Sequence, residues 1–437
     1  MNLWIKNGHL LDPVNHRDEI CDIYIKDGKV AVAGSLSSDT EEEMKGSQTV
    51  VIDAAGKYVM PGFLDLHVHL REPGFEYKET IKTGTAAAAK GGFTAVCPMP
   101  NTKPVTDSPE MIRKVLAIAE RDSRIHVYPV GAVTKGQQGE ERTDIAGMVK
   151  AGARAISEDG KSVMNAELYR EAMKEAAKAG IPVLAHCEDK NMVGRGAMNE
   201  GKKAEELGMS GISNAVEDVI VARDILLAKE TGAKLHLCHC STRDSVSMLR
   251  FAKEHGVDVS GEVCPHHFAM TEDEIPGDDA NYKMNPPLRS REDVKALCDG
   301  LSEGVMEAIS TDHAPHGEEE KKKSIADAPF GIVGSETAYA LAVTYLVKNG
   351  YLTPMQLVER MSTNPCRILG VQGGSLGVGM PADITIADMS TEYIIDKNTF
   401  VSRGKNTPFH GTKVQGRVFY TIVGGEIVYQ YEEEIYD

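Results

Sequence analysis

The chain has 437 residues, room for about three domains of ~150 residues or for one barrel of about 250 with an addition. Its 41% hydrophobic and 26% charged content is that of a globular protein and excludes a mainly disordered or fibrous chain. Asp and Glu number 65 against 48 Lys and Arg, a net charge of −17, so nucleic acid and anionic membrane are excluded as default partners because both require clustered positive charge.

Residues 1–57 carry short alternating runs (LWIKNGHLLD, DIYIKDGKVAVAG) broken by Gly and Asp turns, which read as antiparallel strands. The opening MNLWIKNGHLLDP lacks the basic and apolar regions of a secretory leader. EEEMKG at 41–46 is a charge cluster of the solvated-loop kind. Eight β-rich runs follow, each ending in polar, Gly or Pro residues: YVMPGFLDLHVH (58–69), FTAVCPMP (93–100), RIHVYPVGAV (124–133), ARAISEDG (153–160), IPVLAHCED (181–189), KLHLCHCST (234–242), VDVSGEVCPHH (257–267) and VMEAISTDHAP (305–315). Between them lie segments of helical spacing. NAELYREAMKEAAKAG (165–180) opens on an N-cap Asn and closes on Gly, and 242–256 and 290–304 follow the same plan. SETAYALAVTYLVKNG (335–350) follows the eighth strand. The charged run HGEEEKKKS (316–324) reads as a solvated loop, in a place where a mobile lid over 316–331 would lie. The C-terminal residues return to short strands (ADITIAD, VFYTIVGGEIVYQ), and no apolar run approaches the ~18 residues that span a bilayer. The eight cysteines, mostly inside apolar runs such as LHLCHC, read as reduced thiols of a cytoplasmic protein.

Strands alternating with helices imply parallel pairing through right-handed crossovers. Eight such units predict an α/β fold with a (β/α)8 TIM-like barrel over 58–370. An open doubly wound sheet is disfavoured because no GxGxxG follows a first strand. Neither end can bury a good core alone, so 1–57 and 371–437 are expected to pair into one small composite β-sandwich domain.

Barrel chemistry collects at the C-terminal ends of the strands. The first run ends in His67-Val68-His69, the fourth in Asp159, the fifth in His186, the sixth in His239 and the eighth in Asp312. Residues i and i+2 share a strand face, so His67 and His69 can grip one ion from the same side. Imidazole and carboxylate suit Zn²⁺, and an aspartate can bridge two ions. Singly, each has a plainer reading: HxH is a weak motif, His186 or His239 packs against a backbone partner, and Asp312 caps a helix. Six candidates on one rim, strand after strand, favour a metal site. Mn²⁺ and Co²⁺ accept similar ligands, so metal identity and number stay open. His236, three residues before His239, is expected to face away, as are Cys238 and Cys240, which read as packing residues. His266 and His267 end the seventh run and are assigned structural or supporting roles. Arg71, two residues after a ligand histidine, offers a planar fork that matches a carboxylate; its plainer alternative is a surface ion pair with Glu72.

HVHLREPG (67–74), PMPNT (98–102), SEDG (157–160), AHCE (185–188), HCST (239–242), NPPLR (285–289) and STDHAPH (310–316), in this order, resemble the bacterial type I dihydroorotases of the amidohydrolase superfamily. The likeness runs from GKYVMPGFLDLH to LGVGMPADITIAD, nearly the whole chain. It implies a metal-dependent (β/α)8 barrel with a small composite β domain. It also implies reversible cyclisation of N-carbamoyl-L-aspartate to (S)-dihydroorotate plus water, in de novo pyrimidine biosynthesis. Carried over motif by motif, His67, His69, Asp159, His186, His239 and Asp312 would hold two zinc ions. Arg71 and Asn101 would take the substrate carboxylate with His316 assisting, His69 would lie against substrate, and Asn285 with the backbone at Phe330 and Gly331 would contact the ring amides. Zinc lowers the pKa of bound water from about 15.7 to about 7 and polarises the carbonyl. Asp312 would then shuttle the proton between the zinc-bridging hydroxide and the ring nitrogen. A small-molecule substrate and a homodimer are the partners implied.

Two departures bear on the transfer. Many relatives have Asp-Asp-Gly where this chain has Glu158-Asp159-Gly160; alternation puts Asp159 on the face of Ala155 and Ser157, with Glu158 as the alternative bridging ligand. Cyclic amidases that open hydantoins, dihydropyrimidines or allantoin carry a carboxylated lysine at the end of strand four; none occupies 155–160 here, and Lys161 lies just beyond. The rival readings are such an allantoinase or dihydropyrimidinase, or a non-catalytic partner of aspartate transcarbamoylase. The second has no need of metal ligands, yet all six candidates are present.

Overall fold

The computed structural model describes residues 2–35, 42 and 49–432, so the charge cluster at 41–46 lies outside the described residues apart from Glu42. The N-terminal strands are β1 (Asn2–Asp12), β2 (Arg17–Lys26), β3 (Lys29–Gly34), β4 (Thr49–Asp53) and β5 (Tyr58–Pro61). β1–β2 and β2–β3 are antiparallel. β4 and β5 instead run parallel to β1, a correction to the antiparallel expectation for residues 1–57. With 11 residues, β1 is long enough to take both in succession along one edge, at Asn2–Lys6 and at His9–Leu10.

The first β-rich run, expected as one strand, divides at Gly62: β5 joins the end sheet, and β6 (Phe63–Val68) begins the alternating part. β6, β7 (Phe93–Pro98) and β8 (His126–Val127) form one parallel arc. β9 (Val130–Ala132), β10 (Ala155–Ser157), β11 (Val183–Ala185), β12 (Leu235–Leu237), β13 (Val259–Val263) and β14 (Ala308–Ile309) form a second. The two arcs meet inside the third predicted run, where Pro129 has no N–H for a ladder. There the Tyr128 N–H still donates to Val96 O (2.9 Å), and Pro129 O accepts from the Arg154 N–H (3.0 Å). At the far junction Val68 bridges His313, and the His69 N–H donates to His313 O (2.8 Å). The parallel ladder is therefore two arcs joined at both ends by short contacts.

The helices between the strands show the punctuation that set them. α1 (Ile81–Lys90) is capped by Thr80 and α2 (Pro109–Asp122) by Ser108; α3 (Ile145–Ala151) follows Asp144. In α4 (Ala166–Ala179) the Asn165 side chain accepts from two backbone N–H groups, and Gly180 ends the helix at φ 73°. α5 (Ala215–Thr231), α6 (Arg243–Glu254, capped by Thr242) and α7 (Arg291–Glu303, capped by Ser290) follow in the same alternation. The helix expected from 335 starts only at Ala338, and it widens into a π turn at Val343–Val347. Ahead of it, the N–H groups of Gly334 and Ser335 donate to His313 Nδ1. At the C-terminal end, β15 (Ile384–Ala387) lies antiparallel between β5 and β16 (Val418–Val423), which pairs with β17 (Glu426–Gln430).

Strands from both ends thus form one eight-stranded sheet. It bends until Gly28 O accepts from the Ala382 N–H (2.9 Å), beside β3, and it encloses Leu3, Ile5, Ile23, Ile25, Val59, Ile384 and Ile422. A second core lines the inside of the arcs with Leu64, Leu66, Val130, Ala155, Leu184 and Ala308.

Asp65 ties the first strand to the last. Fully buried, it accepts from the N–H groups of Thr311 (3.0 Å) and His67 (3.2 Å) and from the Thr311 hydroxyl (2.6 Å). Burial nevertheless pushes its pKa up to about 7. Replacing Asp65 with Ala orphans all three donors and should lower unfolding stability by about 1–3 kcal/mol. A urea midpoint unchanged at constant m would show that the clamp carries no stability.

Candidate metal centre

Four imidazoles and two carboxylates converge above the second core. His67 and His69 come from the end of β6, Asp159 follows β10, His186 follows β11, His239 follows β12 and Asp312 follows β14. His67 Nε2 lies 3.2 Å from Asp159 Oδ1 and 3.6 Å from Asp312 Oδ1. His69 Nε2 lies 3.0 Å from Asp312 Oδ1 and 3.5 Å from Asp159 Oδ2. His186 Nδ1 and His239 Nε2 are 3.5 and 3.6 Å from Asp159 Oδ1 and 2.9 Å from each other. Two overlapping triads, His67–Asp159–His239 and His67–His69–Asp312, each gather one donor atom from every member within 4.8 Å.

These residues fit a divalent metal. All six are buried, and His67 Nε2 and Asp159 Oδ1 have no hydrogen-bond partner although both are inaccessible to water. A buried polar atom without a partner costs stability unless something else binds it. Burial opposes charge on Asp159, but His67, His186 and His239 hold its carboxyl well below the usual range. Burial likewise opposes charge on Asp312, and His69 and His67 hold it low. Both are therefore carboxylates, and imidazoles with carboxylates are the donor set of Zn²⁺ and its first-row neighbours. Three residues here sit at positive φ without being glycine: Arg71 at 61°, His239 at 35° and Asp312 at 46°. Such backbone is costly and persists only where surrounding structure imposes it.

Neighbouring side chains hold the ligand rings. His69 Nδ1 pairs with Asn101 Oδ1 (2.9 Å), and Asn101 Nδ2 donates to Asp159 Oδ2 (3.3 Å). His67 Nδ1 pairs with Glu262 Oε1 (3.2 Å). Glu158 turns away: its carboxylate accepts from the N–H and the hydroxyl of Thr134, which leaves Asp159 facing the histidines. Lys161 donates to Gln137 O (3.0 Å). The expectation that His236 and Cys238 face away from the site is corrected. His236 Nε2 pairs with Glu262 Oε2 (2.9 Å), and Cys238 lies with His67 and Glu262 in a third close group. β12 ends at Leu237 and His239 has left extended geometry, so counting by twos across that junction fails. Cys240 is buried among core residues. His266 and His267 also depart from expectation: Pro265–Ala269 is a helical turn, so neither ends a strand, and both are buried, with His267 Nε2 pairing with Pro286 O (2.9 Å).

A cavity of about 180 Å³ opens over the cluster. His69, Asn101, Asp159, His186, His239 and Asp312 line it together with Arg71, Asn285, His316, Phe330 and Gly331. Arg71 Nε donates to Pro315 O (3.2 Å), and Arg71 has no ion-pair partner among the described residues. Glu72 accepts from the Ile81 N–H (2.9 Å) instead of pairing with it. His316 Nε2 pairs with Phe330 O (2.7 Å), and burial with Arg71, Lys78 and Lys321 pushes its pKa down to about 2, so the ring is neutral. Asn285 Nδ2 donates to Glu188. Gly331 at φ 130° needs its missing side chain, because a Cβ there would stand 2.6 Å from Ala314 Cβ.

Asp65, Glu262 and Lys321 were not singled out from the sequence. The first two left a signal, a single carboxylate inside an apolar strand run (FLDLHV, VSGEV), where acidic residues are rarely buried without a task. Lys321 lies in the charged run 316–324, and the solvated-loop expectation fails at that residue: Lys321 is buried and donates to the carbonyls of Lys283 (3.2 Å), Pro329 (3.0 Å) and Gly331 (2.9 Å). Glu318, Glu319 and Lys322 of the same run are exposed.

Comparison with known proteins adds three findings. Residues 56–245 match the family described as dihydro-orotase-like. A dihydroorotase of Pelotomaculum thermopropionicum is 49% identical over 430 residues, spanning 98% of this chain and 99% of that protein, and one of Geobacillus sp. is 49% identical over 433 residues with the same coverage. Among solved structures, the L-hydantoinase (dihydropyrimidinase) of Arthrobacter aurescens superposes with a TM-score of 0.86 at 28% identity, covering 99% of this chain and 96% of that one.

Lys321 also yields a pH dependence. Burial pushes its pKa down to about 7, from 10.5. The unfolded chain therefore holds that proton between pH 7 and 10.5 while the folded chain has shed it, so this group makes the fold more stable as pH rises across that window, by up to about 1.4 kcal/mol per unit. Lys321→Met should reduce the slope of unfolding free energy between pH 7 and 9 accordingly. Parallel slopes for wild type and variant would reject the assignment.

Proposed function

The chain belongs to the dihydroorotase family, and from that premise we propose how its side chains divide the work of interconverting N-carbamoyl-L-aspartate and (S)-dihydroorotate plus water. The chain is thus a hydrolase of the amidohydrolase superfamily acting on a small molecule. The observation that carries the division is the cavity that Arg71, without an ion-pair partner among the described residues, shares with the histidine–aspartate cluster. His67, His69, Asp159, His186, His239 and Asp312 would hold the metal, which we take as two zinc ions because five of these six donors fall into two triads that share His67. Bound there, zinc supplies an acidified water and a polarised amide carbonyl.

The remaining work falls to the protein. Arg71 takes the substrate carboxylate through its planar fork, with Asn101 and neutral His316 beside it. Asn285 and the backbone at Phe330 and Gly331 meet the ring amides. Asp312, kept ionised, accepts the proton released by the attacking water and delivers it to the departing ring nitrogen. In the synthetic direction it takes the proton from the carbamoyl nitrogen, as microscopic reversibility requires. Asn101 keeps the Nδ1 side of His69 occupied, so Nε2 faces the cluster.

The architectural part of the proposal is that the two arcs act as one (β/α)8 barrel over 58–370, with 1–57 and 371–437 as a composite β domain. The Val68–His313 bridge, the Asp65 clamp and the likeness to the Arthrobacter aurescens hydantoinase support it. Eight free cysteines support a reducing, cytoplasmic setting.

The test is turnover by purified zinc-loaded protein beside a chelated sample, on dihydroorotate, dihydrouracil and allantoin. Dihydroorotate opened fastest and only with metal is the expected result; faster opening of allantoin or dihydrouracil would favour a sister cyclic amidase. Asp312→Asn should lower kcat by at least about 10²-fold, with zinc content measured alongside, and near-wild-type turnover would reject the shuttle. Arg71→Lys should raise KM for dihydroorotate about 10-fold or more while leaving the fold intact, because a point charge cannot replace the fork.

A further inference from the structure

Glu262 lies at the floor of the site, fully buried on β13, and takes no part in the division of work above. Its two oxygens meet three groups. Oε1 pairs with His67 Nδ1 (3.2 Å) and accepts from the backbone N–H of His239 (3.2 Å); Oε2 pairs with His236 Nε2 (2.9 Å). The far nitrogen of His236 pairs with Ser260 Oγ (2.8 Å). A carboxylate only accepts, so His236 Nε2–H and His67 Nδ1–H donate to Glu262, and with the His236 ring neutral the Ser260 hydroxyl donates to its Nδ1. That chain is free of conflict in one arrangement of protons, and it leaves the lone pair of His67 on Nε2. This nitrogen is the one that stands unpartnered against Asp159 and Asp312.

We propose that Glu262 is a positioning residue for the metal centre: it fixes the ring orientation and tautomer of His67 from β6 and, through the backbone, the placement of His239 after β12. One carboxylate thus sets the register between ligands from two strands that are not neighbours. The proposal rests on the metal-centre reading above. An outer carboxylate on a ligand histidine is worth about 10–100-fold in metal affinity. Gln at this position keeps the volume, but its NH₂ cannot accept, so either His67 or His236 must turn or change tautomer.

The test measures Zn²⁺ affinity of the full chain by competition with a chromophoric chelator, together with zinc content and thermal midpoint of the metal-free protein. Glu262→Gln should weaken zinc binding about 10–100-fold, and Glu262→Asp, which keeps two acceptors, should fall between it and wild type. Equal zinc affinity in wild type and Glu262→Gln would overturn the role of Glu262 alone; a wild type that binds no zinc would overturn the metal-centre reading itself. ¹⁵N imidazole spectra of metal-free wild type, recorded at a pH high enough for the His67 ring to be neutral, need no variant to fold: an Nδ1–H tautomer at His67 is expected, and an Nε2–H tautomer would overturn the proposal.

Discussion

Six ionisable side chains from five strand ends are buried within a few ångströms of one another, and most other features of this structure answer to that cost. Charge taken out of water is expensive unless matched and hydrogen-bonded. Here each carboxylate faces imidazoles, and the back of each β6 histidine is held by a separate acceptor, Asn101 for His69 and Glu262 for His67. Asp65 holds Thr311, the neighbour of Asp312, against the strand that carries His67. Glu158 is drawn off by Thr134 and so does not add a third negative charge. The strained backbone at His239, Asp312 and Arg71 is affordable because such contacts surround it.

Basic groups gather beside the cavity, although the chain as a whole carries −17. In the cluster two carboxylates stand among four imidazoles. Nearby, Arg71, Lys78 and Lys321 surround His316 and hold its ring neutral, and burial lowers the pKa of all three basic groups. A local basic rim on an acidic protein suits an anionic substrate. Lys321 serves this rim indirectly, since its three carbonyl partners include that of Gly331.

Much of the site was legible from spacing. His67 and His69 two apart at a strand end, and one ligand-type residue at each of four further strand ends, define the cluster because a parallel α/β array brings those ends together. The capped helices were legible for the same local reason: Asn165 and Gly180 act within one turn of themselves. Other positions were opaque. Alternation favoured Asp159 over adjacent Glu158 but left Glu158 open as the alternative, because the Thr134 contact that draws Glu158 away comes from another strand end. His236 was misplaced by alternation because the strand ends before the residue used for counting. His266 and His267 sit in a turn opened by Pro265, and Lys321 is hidden in a run that reads as uniformly solvated.

What the sequence determined by itself is local and periodic: most helix caps, the alternation of strand with helix, and donor-type residues at strand ends, since caps, periods and donor types act over a few residues. Only the tertiary structure decided the rest. It chose parallel partners for β1, split the third strand at Pro129, and turned Asp159 rather than Glu158 toward the histidines. It also joined Asp65 to Thr311 and Glu262 to His67, pairs separated by 246 and 195 residues. Contacts over such separations depend on how strands stack round a common interior, and nothing in the residues flanking either partner encodes the other.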